Sequence, residues 1–70
     1  MLSPKVKRAA SIYVALAFSY LEKADMRKRR ADTIRQLEQA DEARQLQYLS
    51  DVNAFLETNG YDNNGKSRKG

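Results

Sequence analysis

Four consecutive bases, Arg27-Lys28-Arg29-Arg30, with Arg35 further along, are the residues of this chain best equipped to contact a ligand directly. A guanidinium offers a planar fork of donors that matches phosphate oxygens two at a time. Lys66, Arg68 and Lys69 form a second basic group near the C-terminus. Such groups neutralise phosphates and make or break no bonds. The plainer reading is that Arg27 to Arg30 close a helix at the negative end of its dipole, pair with Asp25 and Asp32, and are otherwise solvated.

Other chemistry is largely closed off. The 70 residues include no Cys, His or Trp, which removes thiolates, disulfides and the commonest general base and zinc ligand. Asp41 and Glu42, near Glu38, could gather as carboxylates, but their spacing is not that of a calcium loop. No catalytic, cofactor-binding or metal-binding residue is assigned, no cofactor is expected, and the chain is not expected to be an enzyme.

Charge is distributed in blocks. Residues 1–35 carry nine bases and three acids, residues 36–61 one base and five acids, and residues 62–70 three bases and one acid, which together give the net charge of +4. A basic half and an acidic half can neutralise each other if they pack side by side.

The elements that must carry these residues are helical. Pro4 is the sole proline and the glycines are Gly60, Gly65 and Gly70, so the long interval between holds no strong breaker. Ser3 followed by Pro4 is a helix start, and Asn59 followed by Gly60 a helix stop. Val6, Ala9, Ala10, Tyr13, Leu16, Ala17, Tyr20, Leu21 and Ala24 recur at helical spacing, and so do Ile34, Leu37, Tyr48, Leu49, Val52, Phe55 and Leu56. Between them lies a nearly all-polar stretch. Asp32 and Thr33 suit an N-cap, and Thr33 with Gln36 fits a capping box.

The expected fold is therefore all-α: a helical hairpin over residues 1–60, with a helix about 4–29, a turn about 30–32 and a helix about 33–59. A flexible basic tail follows over 61–70. In this arrangement Val6 faces Leu56, Tyr13 faces Leu49 and Leu16 faces Leu46, while Lys5 and Arg8 approach Glu57. A continuous rod, or three segments with a break near Asp41, are the alternatives. Asp41, Arg44 and Gln45 interrupt the apolar stripe, either as a polar layer setting register between helices or as a solvent-facing turn.

The segment Ala9–Leu21 is apolar nearly all round, because Ile12, Ala15 and Phe18 lie opposite the first face. One partner helix cannot cover it. A second copy would, giving a homodimer and a four-helix bundle in which Ile12, Tyr13, Ala15, Leu16, Phe18 and Ser19 mediate self-association. Lys5, Lys7 and Arg8 before this run imitate a secretory signal, but Tyr13, Ser19 and Tyr20 interrupt it. The run is too short to span a membrane, so a membrane is not an expected partner and a cytoplasmic location is.

The functional expectation is a small regulatory or adaptor protein that self-associates and binds another protein. The alternative is a protein that binds the RNA or DNA backbone through Arg27, Lys28, Arg29, Arg30, Arg35, Lys66, Arg68 and Lys69. The basic run has no interleaved aromatic residue on which bases could stack.

Overall fold

The computed structural model describes residues 2–68, and its described residues form three helices with no strands: α1 (Pro4–Ala17), α2 (Lys23–Gln39) and α3 (Glu42–Thr58). Ser3 caps α1, its Oγ accepting from the Lys5 amide at 3.3 Å, and Pro4 takes the first helical position.

Helix α1 ends twelve residues before its expected end at 29, without glycine or proline to stop it. Phe18, Ser19 and Tyr20 are weaker helix formers than the alanines before them. The local reason for the break is packing. Phe18 leaves the helical path, sets its ring edge-on to Tyr13 at 6.1 Å, and lies beneath the Arg29 guanidinium at 4.3 Å. The Leu21 amide then donates to the Phe18 carbonyl at 3.0 Å, closing a tight turn.

The hairpin expected from the sequence is thus replaced by three helices, and the turn expected at 30–32 lies within α2. The polar stretch from Lys23 to Arg30 begins a helix, in place of the expected helix end. The second break falls at Ala40–Asp41. There the Asp41 carboxylate accepts from the Arg44 amide at 2.8 Å, while the Gln45 side-chain amide donates to the carbonyls of Leu37 and Ala40 at 2.8 and 3.2 Å. Asp41 and Gln45 together hold the joint between α2 and α3: one satisfies the first amides of α3, the other the last carbonyls of α2.

Helix α1 packs against both other helices. On one side Val6 and Ala10 meet Leu37, with Leu2 and Ile34 around them. On the other Ala9 meets Val52 and Leu56, with Ile12, Tyr13, Leu16, Phe55 and Tyr61. Tyr48 and Leu49 belong to both clusters. Val6 therefore sits with Leu37 rather than Leu56, and Leu46, expected opposite Leu16, is exposed at 56%. Ala10 and Val14 are wholly enclosed. The chain's own α2, α3 and C-terminal segment thus cover part of the broad apolar surface of α1 for which a second copy was expected, leaving Ile12, Tyr13 and Ala15 to Phe18 half-buried.

Helix α3 closes with the Tyr61 amide bonded to the Leu56 carbonyl at 2.8 Å and the Gly60 amide to Glu57 at 3.2 Å, Gly60 supplying the left-handed residue (φ 78°). Residues 61–68, expected as a flexible tail, double back as a small hairpin. Asp62 N donates to Lys66 O at 2.8 Å and Arg68 N to Gly60 O at 2.9 Å, and Tyr61 bridges Ser67. The Asp62 carboxylate accepts from the amides of Asn64 (2.8 Å) and Lys66 (2.9 Å). Gly65, also left-handed, lies so close to α1 that a Cβ there would stand 2.8 Å from Ile12 Cγ2. Lys69 and Gly70 lie outside the described residues.

Candidate nucleic-acid interface

Helix α2 carries six bases, Lys23, Arg27, Lys28, Arg29, Arg30 and Arg35, against three acids. Its inward stripe, Met26, Arg30, Thr33, Ile34 and Leu37, is half-buried or buried. Its outward stripe, Ala24, Arg27, Lys28, Ala31 and Arg35, is exposed throughout and follows the same three-and-four spacing on the opposite side.

The bases are not closing a helix. The last turn of α2 contains no basic residue, so they occupy its first and middle turns, where the dipole gives positive charge no benefit. Nor are they neutralised by the acidic half of the chain. Among the described residues the one ion pair joins Arg35 Nη1 to Asp32 Oδ1 at 4.0 Å, both on α2 and both exposed, a geometry that contributes little in water. The expected approach of Lys5 and Arg8 to Glu57 does not produce an ion pair. Arg8 Nη2 donates instead to Asn64 Oδ1 at 2.7 Å.

The candidate residues separate by role. Arg27, Lys28 and Arg35 are exposed on the outward stripe, and of the three Arg35 is paired, with Asp32. Arg29 is exposed but lies over the Phe18 ring. Arg30 turns inward, and its Nε is enclosed without a hydrogen-bond partner among the described residues. Lys66 and Arg68 are exposed on the C-terminal hairpin, which rests against Ile12 and Arg8 of α1 beside α3, so they do not extend the α2 stripe. The self-association set does not form one free surface. Tyr13 and Leu16 pack in the α1–α3 cluster, Ile12 lies under Gly65, Phe18 under Arg29, Ala15 is half-buried and Ser19 exposed. Ala24, expected at the end of the first apolar face, and Ala31, expected in the turn, both lie exposed along the centre of the outward stripe, because α2 starts at Lys23.

Two titratable groups are perturbed. Burial, reinforced by Tyr13, pushes the Tyr48 phenol up to about 12, and its hydroxyl is enclosed with no hydrogen-bond partner among the described residues. The amides of Lys66 and Asn64 hold the Asp62 carboxyl below its ordinary 3.8. Among the described residues no set of three or more acidic side chains is placed to hold a metal ion, and no helix is long and apolar enough to cross a membrane. No family model, curated protein or solved structure matches the chain.

Proposed function

We propose that this chain is a small non-enzymatic module that binds the phosphate backbone of nucleic acid through α2. One observation carries the reading: Arg27, Lys28 and Arg35 stand exposed along one stripe, with no acid on another element paired to them. A row of such cations displaces counterions from a polyanion and binds it in a salt-dependent way. Titration of fluorescent duplex and single-stranded oligonucleotides at low and high salt tests it. Salt-sensitive binding that weakens when Arg27, Lys28 and Arg35 are all changed to Ala is expected, with log affinity falling against log salt with a slope of about −2 to −3 for three phosphates contacted. Binding that ignores salt or survives the triple change would overturn it.

A second reading is a self-associating adaptor that binds another protein. Its support is Tyr20 and Leu46, exposed at 77% and 56%. They lie on the α1–α2 link and on α3, and isolated exposed apolar residues are ordinary on folded proteins. The partial covering of α1 by α2, α3 and the C-terminal hairpin also reduces the physical motive for a dimer. Sedimentation equilibrium distinguishes this reading, since a dimer lost on Leu46→Lys would favour it.

A further inference from the structure

We infer that α2 enters the major groove of duplex DNA along its Ala24–Arg27–Lys28–Ala31–Arg35 stripe, an inference that rests on the phosphate-binding reading and specifies the form of nucleic acid. The stripe is shaped as well as charged. Ala24 and Ala31 occupy its centre and carry nothing beyond Cβ, so the backbone between the cations can come close to base edges. Arg27 projects from one flank and Lys28 and Arg35 from the other, where Asp32 pairs with Arg35 and must give it up to a phosphate; Lys28 and Arg35 are separated by seven residues, about 10 Å along the helix axis. An α-helix with its side chains is about 10 to 12 Å across, and the major groove of B-form DNA is about 12 Å wide. A helix lodged there has a sugar-phosphate wall on each side, which is where the two flanks aim.

Other nucleic acids fit less well. The major groove of A-form RNA is deep and narrow and does not admit side chains in this way. A single strand is held by stacking its bases on aromatic rings, and the outward stripe has none. Glu38 lies on the same side near the C-terminal end of α2, and α3 beyond the joint carries Glu42, Asp51 and Glu57 against the single base Arg44. Those charges repel phosphate, so the helix enters by the part from Ala24 to Arg35.

The test uses the full chain with a duplex DNA, a duplex RNA and a single-stranded DNA of the same sequence. Ala31→Leu keeps the charge, keeps a strong helix former at an exposed position and adds bulk where the groove floor must approach. It is expected to weaken duplex DNA binding about tenfold, the scale of one lost base-edge contact, and to leave weaker binding to the other two unchanged. Protection of guanine N7 from dimethyl sulfate in the complex reads the groove independently of any variant. Equal affinity for all three nucleic acids, a silent Ala31→Leu, or unprotected N7 would each overturn groove entry while leaving the phosphate reading standing. Salt-dependent binding to none of them would overturn both.

Discussion

The guanidinium of Arg29 lies 4.3 Å above the centre of the Phe18 ring, joining the residue that ends α1 to a residue two turns into α2. The contact separates two roles within one basic run. Arg29→Ala is expected to destabilise the fold by about 0.5 to 1 kcal/mol, the value of a partly exposed cation–ring contact. Because Arg29 is held on the ring, the change should weaken nucleic-acid binding less than Arg27→Ala or Lys28→Ala does. Chemical denaturation together with the oligonucleotide titration checks both halves.

The joint at Ala40–Asp41 gives a second prediction. Asp41 accepts from the Arg44 amide, so Asp41→Ala should cost about 1 kcal/mol, the usual loss for an N-cap, whereas Asp41→Asn should cost much less. Gln45→Ala, which frees the carbonyls of Leu37 and Ala40, should loosen the same joint. Faster amide exchange confined to residues 37–45 would mark it.

Tyr48 carries an enclosed hydroxyl with no hydrogen-bond partner among the described residues, at the point where both core clusters meet. Tyr48→Phe removes that group and keeps the ring, so stability is expected to rise by about 1 kcal/mol. The pH sign is also fixed. Burial raises the phenol from 10.0 to about 12, so the folded protein holds this proton more tightly than the unfolded chain and stability falls as pH rises between those values. The Phe variant should lose that part of the alkaline destabilisation, as read by melts across alkaline pH.

The C-terminal hairpin depends on a carboxylate. The amides of Lys66 and Asn64 depress Asp62, so its contribution is present above the ordinary carboxyl pKa and is lost as pH falls through the lowered value. The amide resonances of residues 62–68 are expected to shift together below about pH 4, ahead of the helices. Gly65→Ala should release the same segment at neutral pH, because it sets a Cβ against Ile12 and forces a left-handed backbone on alanine.

How much of this was legible beforehand follows from how local each signal is. Ser3–Pro4 and Asn59–Gly60 mark helix ends through their own side chains and backbone, and both are readable in the chain. The all-helical class follows from the missing breakers. The break after Ala17 was not readable, because its cause is the pairing of Phe18 with Tyr13 and Arg29, residues that meet only in the folded molecule. Without that break the pattern points to a turn at residues 30–32, which in the fold lie inside α2. The basic run was visible from composition, but not which of its members face outward. That depends on the phase of α2, which Leu37 and Ile34 set by packing against α1. Asp41 and Gln45 stood out as interruptions of an apolar stripe, and only their bonds show that they build a joint.

The cations crowded along α2 have a consequence for the energetics of the whole chain. Neighbouring like charges on successive turns repel, and among the described residues the one ion pair that offsets them is Arg35 with Asp32 on the same helix. If α2 binds a polyanion as proposed, binding relieves that repulsion, and the melting temperature is expected to climb with added salt and with oligonucleotide, so that occupancy and foldedness rise together as two readings of one equilibrium.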